Sequence, residues 1–279
     1  MQVVNTLEEL REARGALVGS LGLVPTMGAL HRGHLSLVER ARAENDHVAV
    51  SVFVNPTQFG PGEDLNRYPR DLDRDLAALE PLGVDLVWVP PVEAVYPPGF
   101  QTWVTVEDVS APLEGKHRPG HFRGVATVVA KLFNAVTPDR AYFGQKDAQQ
   151  VVVIRQMVRD LNFPVEMRVC PIVREADGLA LSSRNVYLNP AERQAATVLH
   201  RALSAAQQAL GQGSTDADML RAVMSSTIAA EPLAREEYVS VADPETLAEL
   251  EQVDPARGAL LSLAVRVGKT RLIDNCLVG

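Results

Sequence analysis

Leu21-Gly22-Leu23-Val24-Pro25-Thr26-Met27-Gly28-Ala29-Leu30-His31-Arg32-Gly33-His34 leads from a short apolar run, closed by a proline, into a segment where Leu35, Leu37, Val38 and Ala41 recur at helical spacing. The stretch reads as a strand, a tight connection and a helix start, with two histidines three residues apart at that start. Side chains at this spacing lie on one face of a helical turn, so His31 and His34 are expected to point the same way. Unpaired backbone N–H groups and the positive end of the helix dipole favour an anion there, and Gly28 and Gly33 leave the backbone open to it. Imidazole, with an ordinary pKa of about 6.5, holds or releases a proton near neutrality and so can stabilise charge developing on a phosphate. Either histidine alone could equally be a structural cap of the helix; the whole strand–HxGH–helix unit reads as nucleotide-binding.

Outward from this stretch, strands and helices alternate. Strands are expected at 21–24, 47–54, 84–89, 140–143 and 165–173, and helices at 33–44, 71–82, 125–136 and 148–161. Near-continuous apolar strands separated by amphipathic helices imply a parallel sheet covered on both faces. Ligands bind such sheets at the carboxyl ends of the strands. Thr26-Met27-Gly28, Asn55-Pro56-Thr57-Gln58 and Gly144-Gln145-Lys146-Asp147 all follow expected strands. Beyond residue 190 the pattern changes to helices at 190–210 and 216–230, then strands at 237–241, 258–267 and 271–277. The expected fold is therefore α/β, a Rossmann-like doubly wound parallel sheet followed by a smaller C-terminal α+β domain. The boundaries expected are 1–175 for the first domain, 176–189 for a polar, hydroxyl-rich hinge over the site, and 190–279 for the second.

Composition narrows the function. The chain has 279 residues, 46% hydrophobic and 22% charged, which suits a folded protein of two domains rather than a disordered one. No basic leader precedes an apolar run and no stretch reaches the length of a membrane span, so a cytoplasmic location is expected. Cys170 and Cys276 are too few for a disulfide framework or a cysteine zinc site. A net charge of −8 argues against nucleic acid as a partner. Between Lys116 and Arg174, however, ten Lys and Arg stand against four acids, an excess that marks a place for a small anion or a solvated face.

Six segments in order carry a resemblance: 25–34; Phe53-Val54-Asn55-Pro56-Thr57-Gln58-Phe59; Tyr68-Pro69-Arg70; Gly120-His121-Phe122-Arg123-Gly124-Val125; 138–150, with Gly144-Gln145-Lys146-Asp147 inside it; and 173–185, ending Leu181-Ser182-Ser183-Arg184-Asn185. On these residues the chain resembles the pantothenate synthetases, the pantoate–β-alanine ligases of the HxGH nucleotidyltransferase superfamily. HxGH alone is shared with other adenylyltransferases and class I aminoacyl-tRNA synthetases; the ordered set is far more specific.

The resemblance implies two steps. ATP and the pantoate carboxylate give pantoyl-adenylate and pyrophosphate, and the β-alanine amine then attacks the activated carbon to give pantothenate and AMP. It implies catalytic roles for His34 as general acid and leaving-group stabiliser, His31 on neighbouring phosphate oxygens, Lys146 near the α-phosphate and Arg184 in a mobile loop of KMSKS type. The ATP-binding set it implies is Met27, Gly28, Ala29, Leu30, His31, Arg32, Gly33, His34, Gly144, Gln145, Lys146, Asp147, Val173, Leu181, Ser182, Ser183 and Arg184. Gln58 and Gln150, with Asn55 and Arg123, would bind pantoate and β-alanine; amides suit a ligand that carries both donors and acceptors. Mg2+ is expected to accompany ATP. An acid often precedes the position of Asp75 in the family, but Arg74 stands there, which leaves Asp75 as the candidate metal ligand, through water or directly. A homodimer is also implied.

Plain structural readings stand beside these. Gln150 could be merely solvated, Ser182 and Ser183 could form a turn with cap chemistry, and Lys146 beside Asp147 could be a surface ion pair. Two other functions fit an HxGH domain: an adenylyltransferase acting on a phosphate ester, and a nucleotide-binding regulator without catalysis.

Overall fold

A computed structural model describes residues 1–279. Strands β1 (Gln2–Val4), β2 (Leu21–Thr26), β3 (His47–Val52), β4 (Leu86–Trp88), β5 (Arg140–Gly144) and β6 (Glu166–Cys170) form one sheet in the order β1-β4-β3-β2-β5-β6, every pair parallel. Between them lie helices α1 (Leu7–Gly15), α2 (Arg32–Glu44), α3 (Leu72–Leu79), the single turns α4 (Val92–Val95) and α5 (Glu114–His117), then α6 (His121–Val136) and α7 (Ala148–Asp160). Successive strand residues face opposite sides, and in β2 both sides are apolar: Leu21 and Leu23 on one, Val24 on the other, all fully buried. Val24, Val48, Val50 and Val87 meet Leu37, Val38 and Ala41 of α2 in one core cluster. The chain steps outward from β2 to β3 to β4, then returns to lay β5 on the other flank of β2. The strand order therefore reverses between β2 and β5, where open parallel sheets take ligands.

Strands β7 (Ala234–Ala242), β8 (Ala259–Val267) and β9 (Thr270–Val278) make a second, antiparallel sheet, accompanied by α8 (Pro190–Ala195), α9 (Val198–Gly211) and α10 (Ala217–Ala229). Alternate residues Leu261, Leu263, Val265 and Val267 of β8 pack with Leu199, Leu203, Leu220 and Met224 of the helices. The doubly wound sheet and smaller α+β domain expected from the sequence are both present.

Details differ for local reasons. The expected helix over 190–210 is two, α8 and α9, parted where the Thr197 hydroxyl donates to the Gln194 carbonyl. The expected helix over 71–82 ends at Leu79, and Pro81 lies in a separate 3-10 turn, Glu80–Leu82. β1 and α1 lie outside the expected elements, although Thr6 and Glu9 form a reciprocal capping box at the start of α1.

One compact unit is Met1–Gly144 with Val153–Pro171, and the other is Gln145–Val152 with Ile172–Gly279. The boundary runs through α7, and residues 176–189, expected as a hinge over the site, lie in the second unit, where Leu179 belongs to the core.

Candidate active site

In the first unit the loop after β2 is held from several sides. The Thr26 hydroxyl donates to the Ser51 carbonyl and accepts from Gly28 N–H at 3.2 Å. Gly28 has φ +76°, and a Cβ there would stand 2.9 Å from Asp75 Oδ2, so both conformation and space require glycine. Ala29 follows with φ +51°, a left-handed conformation that a residue with a Cβ adopts only under constraint. The constraint is Asp75, from α3, whose carboxylate accepts Ala29 N–H at 2.9 Å and Leu30 N–H at 2.7 Å. Burial pushes the Asp75 carboxyl above the ordinary range, opposed by those two N–H donors. Asp75 is 2% exposed, and its two oxygens serve the loop. Both oxygens of Asp75 thus hold the loop in the left-handed turn at Ala29.

His31 is the N-cap of α2, as its plain structural reading has it, and His34 completes the box: His31 Nδ1 accepts Gly33 N–H at 3.2 Å, and His34 Nδ1 accepts His31 N–H at 3.4 Å. The two rings lie 4.1 Å apart. An Nδ1 that accepts carries no hydrogen, so each neutral ring bears its proton on Nε2. The capping geometry therefore fixes the tautomer of both histidines and makes each Nε2 a donor.

After β3, Gln58 and Asn55 divide their expected roles. Asn55 is fully buried; its Nδ2 donates to Gln58 Oε1 at 3.0 Å and to the Gly124 carbonyl at 3.1 Å, while its Oδ1 accepts from Thr57 N–H and from the Thr57 and Tyr96 hydroxyls. Every polar group of the Asn55 side chain has a partner inside the protein, and one of its Nδ2 bonds orients Gln58. Gln58 Nε2 lies 3.2 Å from Met27 Sδ, which joins this turn to the loop after β2. Arg123 is exposed on α6, its guanidinium 4.7 Å from the Trp103 ring.

Sequence reasoning missed the support beneath Gln58. His121, the first residue of α6, has Nδ1 2.8 Å from the Gln58 carbonyl and Nε2 3.0 Å from Arg118 Nη1. Burial and the Arg118 charge push His121 down to about 4, so the neutral ring donates from Nδ1 to the carbonyl and accepts from Arg118. Arg118 in turn forks onto Glu63 at 2.9 and 2.7 Å. Burial raises the Glu63 carboxyl, but the Arg118 hydrogen bond and charge outweigh it and hold the group below its ordinary value.

In the second unit, Gln145, Lys146 and Asp147 form a 3-10 turn leading into α7, whose first turn carries the half-buried Gln150. Val173 and Leu181 are paired, Leu181 N–H donating to the Val173 carbonyl at 3.0 Å across a short hairpin closed by Gly178. Ser182 caps the 3-10 turn Ser183–Tyr187 by accepting Arg184 N–H at 3.2 Å, in line with its plain structural reading. Lys146, Ser182, Asn185 and Asp274 line one small cavity. The chain holds no group of three or more His, Cys, Asp or Glu placed to hold a metal ion, and none of its helices is long and apolar enough to cross a membrane.

Comparison with known proteins agrees with this arrangement. The family described as pantoate-beta-alanine ligase matches residues 2–277. The pantothenate synthetase of Roseiflexus sp. (strain RS-1) is 66% identical over 278 residues, spanning 100% of this chain and 99% of its own. That of Herpetosiphon aurantiacus is 63% identical and spans 100% of both. The crystal structure of pantothenate synthetase from Thermus thermophilus superposes with a TM-score of 0.94 at 55% identity over 99% of each chain. The pantoate-beta-alanine ligase from Francisella tularensis, solved in complex with beta-gamma ATP and beta-alanine, is 36% identical, with a TM-score of 0.81 over 99% of this chain and 97% of that one. With the HxGH loop at the end of β2, the amide turn at the end of β3 and the match along almost all of its length, this chain belongs to the pantoate–β-alanine ligase family.

Proposed function

We propose that the ATP-driven condensation of pantoate with β-alanine proceeds here through a pantoyl-adenylate, with release of pyrophosphate and then AMP. The observation that carries this reading is the reciprocal cap of His31 and His34. A carboxylate attacking the α-phosphate adds charge to an already anionic centre, and fixed donors aimed at that charge lower the barrier without reorganisation. His34 Nε2 and His31 Nε2 are such donors, at a helix N-terminus that itself favours phosphate. His34 protonates or stabilises the departing pyrophosphate, and His31 steadies neighbouring oxygens. Lys146 neutralises the α-phosphate and the approaching carboxylate, while Ser182, Ser183 and Arg184 hold the β- and γ-phosphates.

Met27, Gly28, Gly144, Asp147, Val173 and Leu181 cradle adenosine, largely through backbone groups. Gln58 and Gln150 read the pantoate carboxylate and hydroxyls, and Arg123 remains assigned to the acid substrates by the resemblance alone. Mg2+ arrives with the nucleotide and neutralises phosphate charge. No group of three or more acidic, histidine or cysteine side chains would hold the ion, so Asp75, through water or directly, is the protein group that would meet it. The working form is a homodimer in the cytoplasm, and its partners are the small-molecule substrates.

AMP formation from ATP and Mg2+ tests the proposal, measured with pantoate alone, β-alanine alone, both, and both with His34→Ala. Steady AMP only with both substrates, reduced by about 100-fold or more in the variant, is expected. An adenylyltransferase for phosphate esters would release a dinucleotide and ignore β-alanine. A regulator would bind ATP, turn nothing over and keep that function in His34→Ala; either result sinks the proposal.

A further inference from the structure

Lys146 has no obvious means of being held still: it sits in a three-residue turn between β5 and α7, and a lysine stem is flexible. The means lies in β9. Asn275, 3% exposed, turns its amide toward the Lys146 turn. Its Nδ2 donates to the Gln145 carbonyl at 3.0 Å and to the Lys146 carbonyl at 2.9 Å, and its Oδ1 accepts from Gln145 Nε2 at 3.0 Å. Both hydrogens and the oxygen of one side chain are thus spent on two consecutive residues, which fixes position and rotation of the turn together.

The neighbouring residue works on the other nucleotide segment. Asp274, 2% exposed, accepts from Arg174 at 2.6 and 2.9 Å, and Arg174 also donates to the Gly178 carbonyl in the hairpin that pairs Val173 with Leu181. Asp274 Oδ1 further accepts Asn275 N–H at 2.8 Å, so the two anchors are braced against each other. Consecutive strand residues point to opposite faces, which lets one dipeptide hold two separate segments.

We infer that Asn275 is a positioning residue for the adenylation step, holding the Lys146 turn so that the ammonium is delivered to one place, with Asp274 and Arg174 setting the adjoining hairpin in register with it. The inference rests on the proposed role of Lys146. Misplacement of a charged group by about 1 Å costs on the order of 100-fold in rate when the reaction depends on geometry. Removing the Asn275 amide frees two carbonyls and lets the turn swing by that much.

The test is pantoate-dependent exchange of labelled pyrophosphate into ATP, which reads adenylation without aminolysis, in the full-length protein. Asn275→Ala should lower exchange by about 10- to 100-fold with little change in ATP affinity. The discriminating measurement repeats the substitution in a Lys146→Ala background: a residue that acts through Lys146 has nothing left to position, so the further loss should shrink to about twofold or less. An undiminished loss there would assign Asn275 a general structural role and overturn the inference, as would unchanged exchange in the single variant. Should Asn275→Ala fail to fold, Asn275→Ser replaces it under the same criteria, since one hydroxyl hydrogen serves at most one carbonyl. If Lys146→Ala alone exchanges at the wild-type rate, the proposed role of Lys146 is what has failed, and that result is separate from any behaviour of Asn275.

Discussion

Asp75→Asn separates two accounts of the same carboxylate. The side chain is 2% exposed and accepts Ala29 N–H at 2.9 Å and Leu30 N–H at 2.7 Å. Asparagine keeps one carbonyl oxygen, so one of these charge-assisted bonds becomes a neutral one, at a cost of about 1 kcal/mol, and the other N–H faces an NH2 group. A buried donor left without an acceptor costs about 1–3 kcal/mol, giving roughly 2–4 kcal/mol in all. The loop has a way to escape part of this, because Ala29 gains about 1–2 kcal/mol when it leaves the left-handed region. Release of Ala29 is the expected response: the loop relaxes, the His31 and His34 donors lose their fixed direction, and the loss appears more in rate than in stability. Each 1.4 kcal/mol is about tenfold, so pyrophosphate exchange should fall by about 10- to 100-fold, while the urea midpoint drops by an amount worth about 1–2 kcal/mol. Wild-type exchange with an unchanged midpoint would show that the two hydrogen bonds do not hold the loop. Full recovery of the rate on raising Mg2+ would refute the clamp in another way, by making Asp75 a metal ligand.

The pH response of His121 gives a second handle: its ordinary value of 6.5 in the unfolded chain falls to about 4 when folded. Over that window the unfolded chain binds a proton that the folded one does not, so stability is lost as pH falls, by about 2.4 kcal/mol between pH 7 and 4.5. His121→Asn should remove that share of the slope in urea unfolding at the two pH values; an identical slope in wild type and variant would mean that His121 is not held neutral. At Gly124 a Cβ would meet the Thr57 carbonyl oxygen at 2.4 Å and Gln58 N at 2.8 Å, both backbone atoms that cannot swing aside. Gly124→Ala should therefore push α6 off the Gln58 turn, cost about 1–3 kcal/mol of stability and raise the KM for pantoate more than that for ATP; equal effects on both would place the damage elsewhere.

Why some of this was legible and some not follows from where the information lies. The β2–loop–α2 unit could be read because a change of hydrophobic period, a proline and three glycines fall within fourteen residues of one another. The arrangement within an adjacent pair could not: Asn55 and Gln58 carry the same amide chemistry three residues apart, and nothing local in the sequence shows that Asn55 is fully buried and bonded to Gln58 Oε1. The resemblance offers Asp75 as a metal ligand, but its bonds to backbone groups 45 and 46 residues away leave no trace in local sequence. The unit boundary inside α7 was hidden for a similar reason, since an uninterrupted helical period gives no sign that its first turn is secured by another part of the chain. The same holds for Asp274-Asn275, which reads as an ordinary polar pair in a strand.

The bond from Asn275 to the Gln145 carbonyl spans 130 residues, and that distance has a meaning in time as well as in space. Ribosomes add about 5–20 residues per second, so the Lys146 turn leaves the ribosome on the order of ten seconds before its anchor is made. The parallel sheet is complete in sequence by Cys170 and can begin to assemble while the later strands are still absent. A nascent or truncated chain can thus own a well-formed β2 loop, with both histidines in place, and still lack a settled lysine. On the proposed role of Lys146, a chain ending before β9 should hold no settled lysine at the phosphates.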